Sequence, residues 1–171
     1  MSKGDSVSGL IRNLLTLLQA LLMRDTADFQ TRVVTHFWVT PFDSGLHILK
    51  SDKYLQFAEA AQLDYLIKTK LFGTLIRGGL TFVNLAQLVK FSRPIAMFRR
   101  VRMETAIVFA DDKCAYFSHQ LFIGSHHHGE VLVKMKFKRG PITVPPAELI
   151  DHSFTVKPVQ IDTWDRALES M

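Results

Sequence analysis

The segment from Thr40 to Tyr65 contains the residue types that could carry out chemistry. An acidic residue, Asp43, follows a predicted strand, a loop with Gly45 comes next, and a helix begins about nine residues after the acid. This order can bring a carboxylate close to a helix N-terminus, where unpaired backbone amides polarise a carbonyl oxygen. The carboxylate can then attack the carbonyl carbon or deprotonate a water molecule that attacks it. The pattern fits hydrolysis by acyl transfer; in the plainer interpretation Asp43 opens a turn and Asp52 caps the helix.

The elements that flank this segment predict an α+β fold. The run from Thr31 to Phe42 is rich in β-branched and aromatic residues and ends beside a proline, which is typical of a strand that enters a turn. A helix that Ser51 or Asp52 can cap, and that reaches about Lys70, is apolar on nearly all sides. Within it, Asp64 is expected to pair with Lys68 on the exposed side. Because such a helix has no solvated face, we expect other elements to surround it.

Four strands are predicted after this helix, and the last three of them form an antiparallel meander. The predicted strands are 80–92, 99–109, 113–123 and 131–138. Residues 80–92 fit a helix or a strand by periodicity, and strand-favouring residues such as Phe82 and Val89 decide for the strand. A tail from Val144 ends in a short helix near 163–169. A run of helix followed by strands indicates an antiparallel sheet that curls around the central helix.

Residues 7–23 predict an additional amphipathic helix before this fold. Apolar residues recur every three or four positions, with Arg12 and Gln19 on the opposite side. The helix can pack on the protein or on a second subunit, or it can lie in a membrane interface. The longest apolar stretch has ten residues, fewer than the ~20 that span a bilayer, so no transmembrane helix is predicted. The predicted parts are a helical segment 1–30, a main domain 31–150 and a tail 151–171.

The composition limits the class of protein. A length of 171 residues fits one domain, and a net charge of +5 favours anionic partners. The single cysteine, Cys114, excludes a disulfide framework and a Cys-pair zinc site. Glycine-rich cofactor motifs are absent and the basic residues are scattered, so neither a cofactor nor a nucleic-acid partner is predicted. The run His126 to His128 is expected in an exposed turn, and no metal site is predicted.

Several short motifs follow one another in an order that resembles a known family. They are Asp43, Leu46-His47, Lys53-Tyr54-Leu55, Glu59, the strand end 89–94, the turn 111–113 and the closing segment 144–148. From Arg32 to about Ile150 the chain resembles the hotdog-fold acyl-CoA thioesterases of the 4-hydroxybenzoyl-CoA thioesterase-like group. The resemblance implies an antiparallel sheet wrapped around a central helix. It also implies hydrolysis of an acyl-CoA thioester, without a cofactor, by a cytoplasmic homodimer or homotetramer.

The resemblance also implies roles for individual residues. Asp43 would be the nucleophile or general base, and backbone amides near Gly45 and Tyr54 would bind the oxyanion. His47 would position the acyl group or water, and Glu59 would act as a partner acid or hold the loop. The expected contacts to the coenzyme A phosphates are Lys90, Arg93, Arg99 and Arg100.

The loop between strand and helix departs from the family pattern. Pro41 stands where a first aspartate is expected, Leu49 and Lys50 replace paired asparagines, and Gln62 replaces an arginine. These departures favour, as the alternative, a non-catalytic protein that binds acyl-CoA or lipid. A membrane-associated protein, held through residues 7–23, is a further alternative.

Overall fold

The computed structural model describes residues 27–152 and 154–171. The predicted helix 7–23 lies outside these residues, so it stays a prediction, as do the domain boundaries. The elements are β1 (Val33–Trp38), α1 (Ser51–Lys68), α2 (Leu71–Arg77), β2 (Thr81–Phe91), β3 (Arg100–Ala110), β4 (Ala115–Ile123), β5 (His126–Arg139), β6 (Ile142–Val144) and α3 (Val159–Glu169), with 3-10 turns at Pro41–Asp43 and Pro146–Glu148. No helix among the described residues is long and apolar enough to cross a membrane.

The strands form one antiparallel sheet in the order β1-β3-β4-β5-β2, with β6 paired to β5. The pairs β3-β4 and β4-β5 confirm the predicted antiparallel meander. Strand β2 pairs with β5, from Thr81 opposite Lys138 to Phe91 opposite Gly129. The connection 92–99 is too long for a tight hairpin and crosses the end of the sheet, so β2 and β3 are not neighbours.

The sheet wraps around α1, which confirms the predicted α+β fold with a surrounded central helix. Phe57 is completely buried and stacks on Phe37 of β1, with ring centroids 5.0 Å apart. Tyr65, eight residues further along the helix, meets Phe117 of β4 edge-on at 5.6 Å. The helix N-cap is Lys50, without a side-chain cap hydrogen bond, so the expected capping by Ser51 or Asp52 is wrong. Burial on the sheet stabilises this helix instead.

Polar side chains also lie beneath α1. Asp64 forms the expected ion pair with Lys68 at 2.9 Å, but it is buried, and Thr35 Oγ1 donates a hydrogen bond to it at 2.6 Å. The expectation that this pair lies on the exposed side is therefore wrong. His119 is fully buried, and a 3.0 Å hydrogen bond joins its Nδ1 to Thr105 Oγ1. Its Nε2 has no partner within the part of the chain that the structure describes.

Two local predictions need correction, and two short elements were not predicted. The histidines 126–128 lie at the start of β5, because a turn at Gly124-Ser125, with Gly124 at a φ of +59°, already reverses the chain. Among the described residues no cluster of His, Cys, Asp or Glu could hold a metal ion. The short helix α2 and strand β6 were not predicted, because both are too short for a periodic pattern to show. The last helix begins at Val159, four residues before the predicted start.

The last helix, α3, covers part of the outer face of the sheet. Ile161 and Trp164 of α3 pack in a second, smaller core with Phe109, Tyr116 and Leu132. The prediction of a C-terminal helix is confirmed, and the structure shows that this helix faces the side of the sheet opposite α1.

Candidate active site

A cleft of about 310 Å³ lies at the start of α1. We call it the helix-start cleft; its lining residues are Ile48, Leu49, Ser51, Tyr54, Phe91, Ser92, Arg93 and Pro94. The loop before α1 forms one wall, and the end of β2 forms the other. Because the first amides of a helix have no partner within the helix, this cleft adjoins backbone donors and the positive end of the helix dipole.

Asp43 ends the 3-10 turn that precedes the loop wall of this cleft. Its backbone carbonyl accepts a 3.0 Å hydrogen bond from the amide of Lys50, the N-cap of α1, so the turn and the helix start are joined. The carboxylate is fully buried, and its Oδ2 accepts hydrogen bonds from the amide and the hydroxyl of Thr40 at 3.0 and 2.7 Å. The main chain of the predicted acid therefore lies where the sequence places it, while the carboxylate points to Thr40 and does not line the cleft.

The loop that separates Asp43 from α1 is held on both sides. The Gly45 amide donates to the carbonyl of Ile48 at 2.9 Å, which closes the loop on itself. The Leu49 amide donates to Ile95 at 2.8 Å, and the carbonyl of His47 accepts from Met97 at 3.0 Å. The side chain of His47 is exposed and does not line the cleft. The loop before α1, whose sequence departs from the family motif, is thus held in place by backbone hydrogen bonds.

Tyr54 is the predicted site residue that the structure places most clearly in the cleft. Its ring is buried and meets Phe91 edge-on at 4.9 Å. On the other side is Gly129 of β5, where an added Cβ would lie 2.8 Å from the Lys90 carbonyl oxygen and 3.3 Å from the Tyr54 ring. Burial raises the pKa of Tyr54, so the phenol is neutral at physiological pH and can donate a hydrogen bond to a ligand in the cleft.

Glu59 lies at a second cleft, about 420 Å³ in volume, further along the seam between α1 and β2. This cleft is lined by Glu59, Gln62, Leu63, Phe82, Val83 and Asn84. Glu59 is about 7.5 Å further along the helix axis than Tyr54, at 1.5 Å per residue. Desolvation raises the pKa of Glu59. The structure therefore brings a second carboxylate to the same seam but does not place it in the helix-start cleft.

The four predicted cations separate into two groups. Arg93 lines the helix-start cleft, while Lys90 is exposed on β2 just before it. Arg99 and Arg100 lie at the opposite edge of the sheet, where Arg100 pairs with Trp38 of β1. They are exposed and do not line the cleft.

Sequence reasoning missed one buried cation near the site. Lys53, in the first turn of α1, is completely buried, and its Nζ lies 3.2 Å from Gln56 Oε1 and 3.9 Å from Asp52 Oδ2. Nothing in the local pattern marks this lysine as buried, because the residues around it fit an exposed first helical turn. Its burial follows from tertiary packing, although Ser51 and Asp52 just before it are exposed.

Comparison with solved structures identifies the architecture. A probable thioesterase from Bartonella henselae superposes with a TM-score of 0.61 at 18% identity, covering 67% of this chain and 98% of its own. The probable thioesterase YbaW from Escherichia coli gives 0.62 at 14% identity, with 67% and 90% covered. This chain has the hotdog fold. A 1,4-dihydroxy-2-naphthoyl-CoA thioesterase from Synechocystis is also similar, with a TM-score of 0.55, 13% identity and coverage of 70% and 87%.

The hotdog fold thus accounts for about two thirds of this chain and confirms the resemblance at the level of the fold. No protein-family model matches the sequence, and no curated protein matches it. Three residues that depart from the family motif each have a structural role in this hotdog fold. Pro41 begins the 3-10 turn that contains Asp43, Leu49 is buried and bonded to Ile95, and Lys50 is the N-cap of α1.

Proposed function

We propose that the protein hydrolyses acyl-CoA thioesters in the helix-start cleft. The observation that carries the proposal is the joining of three features: an acid-bearing turn, the amide-rich start of α1, and a cleft between them and β2. Solved proteins of the same fold that are named thioesterases support it. Because their sequences are less than 25% identical to this one, the activity itself rests on the geometry and on the experiment below.

The proposed reaction places the thioester carbonyl over the first turn of α1. Asp43 removes a proton from water, the oxygen of that water bonds to the carbonyl carbon, and the first-turn amides together with the Tyr54 hydroxyl stabilise the oxyanion. The carbon–sulfur bond then breaks, the acid is released, and the thiolate of coenzyme A takes up the proton. In the nucleophilic version the carboxylate itself bonds to the carbonyl carbon, the carbon–sulfur bond breaks to release the thiolate of coenzyme A, and water then hydrolyses the acyl anhydride formed on Asp43. Either version requires the carboxylate to exchange its Thr40 contacts for the substrate or water.

Substrate and subunit contacts follow from the same seam. Arg93 at the cleft is the proposed contact for a coenzyme A phosphate, whereas the roles of Lys90, Arg99 and Arg100 stay predictions.

Strand β2, at one edge of the sheet, carries exposed apolar side chains, namely Phe82, Val83, Leu85, Leu88 and Phe91. Since an apolar edge strand offers unpaired backbone groups to another strand, we propose that β2 joins two copies in a homodimer. A homotetramer and a cytoplasmic location are further expectations.

Release of free thiol from acyl-CoA substrates of different chain length tests the activity. We expect Asp43→Asn to lower kcat by about 100-fold or more, because general acid–base catalysis contributes about that much. Asp112→Asn, in the exposed turn between β3 and β4, is the matched control and should leave kcat unchanged. Glu59→Gln tests the second carboxylate, and thermal unfolding of each variant checks that the buried site remains folded.

Three results would change the proposal. Full activity of Asp43→Asn with loss of activity in Glu59→Gln would move the reaction to the second cleft. Loss in neither variant would exclude a carboxylate mechanism. Tight binding of acyl-CoA by the unaltered protein without any thiol release would overturn hydrolysis and leave the alternative of a binding protein.

A further inference from the structure

Two chain segments at one end of the hotdog domain expose an unusual amount of apolar surface. Residues 38–50 and 95–100 run side by side. The Val39 amide donates to the Arg99 carbonyl at 3.0 Å, and the Phe98 amide donates to the Val39 carbonyl at 2.9 Å. An isolated β-bridge joins Ile48 to Ala96 further along. We call this pair of segments the tip. Its exposed large side chains, each more than half accessible, are Trp38, Phe42, Leu46, Ile48 and Phe98.

The exposure of these side chains is held by the backbone. Phe98 has a φ of +62°, a conformation that a bulky residue rarely adopts, yet its amide is fixed by the hydrogen bond to Val39. Its ring is 68% exposed, so the strained backbone does not serve to bury it. Strain that keeps an aromatic ring in solvent points to a contact made with something outside the described chain.

The exposed charges of the tip are all positive. Lys50, Arg99 and Arg100 are exposed, and the only acidic residue in the two segments, Asp43, is buried. The pKa of His36, two residues before Trp38, is lowered first by desolvation and then by Arg100 of the tip, with Arg102 and Lys68 acting in the same direction. The tip therefore combines an apolar surface with a positive potential.

We propose that the tip docks on a lipid bilayer that carries anionic headgroups. Aromatic and leucine side chains partition into the headgroup region, while arginine and lysine pair with lipid phosphates. A second copy fits this surface less well, because a two-fold contact would bring the tip's cations against themselves. The apolar edge that suits a second copy is β2, at the other side of the sheet from β1. This proposal does not depend on thioester hydrolysis, although the tip contains Asp43 and shares Ile48 and Leu49 with the helix-start cleft.

The two tryptophans allow a direct test in the full chain. Trp38 is 63% exposed in the tip, whereas Trp164 is 8% exposed beneath α3. In a Trp164→Phe protein, fluorescence reports Trp38 alone. We expect its emission to shift to shorter wavelength when mixed phosphatidylcholine–phosphatidylserine vesicles are added, and to shift less with phosphatidylcholine alone. Sedimentation of the unaltered protein with the same vesicles measures binding without the substitution.

Matched triple variants separate the tip from general surface hydrophobicity. The tip variant is Phe42→Ser, Leu46→Ser and Phe98→Asn, since asparagine tolerates the positive φ. The control is Ile76→Ser, Ile142→Ser and Val159→Ser, three equally exposed apolar residues elsewhere on the chain. We expect the tip variant to bind vesicles at least about ten-fold more weakly and the control to bind as the unaltered protein does. Arg99→Gln with Arg100→Gln should remove the preference for phosphatidylserine.

Two outcomes would overturn the proposal. Vesicle binding that leaves Trp38 emission unchanged and persists in the tip variant would assign binding to another part of the chain. Trp38 emission typical of a buried indole before vesicles are added would show that protein already covers the tip. If size-exclusion chromatography then gave a smaller particle for the tip variant, a second copy would be the occupant.

Discussion

The inner face of the sheet packs against α1 and the outer face against α3, and the contacts beneath these two helices differ in kind. Under α1 the contacts are mainly apolar, as between Phe57 and Phe37, and only a few polar groups interrupt them. Under α3 a small apolar core lies beside a carboxylate, Asp165, that binds Tyr116, Lys134 and Lys157. The inner face therefore determines whether the domain folds, whereas the outer face determines whether an additional helix stays attached.

The largest expected effect tests this difference by removing one aromatic side chain from each face. Phe57→Ala should lower the free energy of unfolding by about 4 kcal/mol, because it leaves a cavity beneath the central helix. Trp164→Ala should cost about 3 kcal/mol at most and should act on α3 alone. Chemical denaturation measures the first effect, and hydrogen exchange resolved by residue measures the second. Equal loss of protection in α1 and α3 for Trp164→Ala would contradict the separation of the two faces.

A smaller effect is expected from the charge beneath α3. Burial raises the pKa of Asp165, but hydrogen bonds from Lys134, Lys157 and Tyr116 outweigh it and hold the pKa below the ordinary value of 3.8. Asp165→Asn should therefore destabilise the attachment of α3 by about 2 kcal/mol at neutral pH. Because the folded state has the lower pKa, this contribution is present above pH 3.8 and is lost as the pH falls through the folded value.

The control for this charge is Asp162, which pairs with Arg166 on the exposed side of the same helix. Asp162→Asn should change stability by no more than about 0.5 kcal/mol, as solvent-exposed pairs contribute little. Thermal unfolding at high and low salt compares the two variants. If both lost the same stability, the buried network would have no special role.

The smallest effect comes from His119 on the inner face. Burial lowers its pKa from 6.5 to about 3, so the folded protein keeps this histidine neutral while the unfolded chain takes up a proton. Stability is thus lost as the pH falls through 6.5, by about 0.7 kcal/mol between pH 7 and pH 6. Denaturation curves recorded at several pH values give the free energy of unfolding as a function of pH. His119→Gln should reduce its decrease between pH 7 and pH 6, whereas substitution of the exposed His126 by Gln should not. An unchanged slope would mean that His119 is not neutral in the fold.

The sequence predicts well the features that depend on local pattern. The strand before the acid, the buried helix and the four strands after it were all found, because alternation and a uniformly apolar helix are visible in residues such as Val101, Met103 and Phe57. The neighbour of β2 was not predicted. Periodicity shows which side chains point inward but does not show which strand lies alongside.

The candidate site was predictable in its position but not in its detailed geometry. The chain order of Asp43, loop and helix predicts that the acid lies near the helix start, and the Asp43 backbone carbonyl does accept a hydrogen bond from the Lys50 amide. The orientation of the carboxylate toward Thr40 depends on a rotamer in a 3-10 turn that no periodic pattern encodes. Similarly, Arg93 and Arg99 are six residues apart but lie at different edges of the sheet, so sequence proximity could not separate their roles.

Gly129 has a consequence for how this chain can change during evolution. Even one methyl group there would meet a backbone oxygen rather than a movable side chain, so β2 itself would have to move away from β5. That movement would displace Phe91 and Arg93 together and open the wall beside Tyr54. Relatives with an aromatic residue at position 54 should therefore have glycine at position 129. Relatives in which one of these two residues is replaced should have a replacement at the other as well.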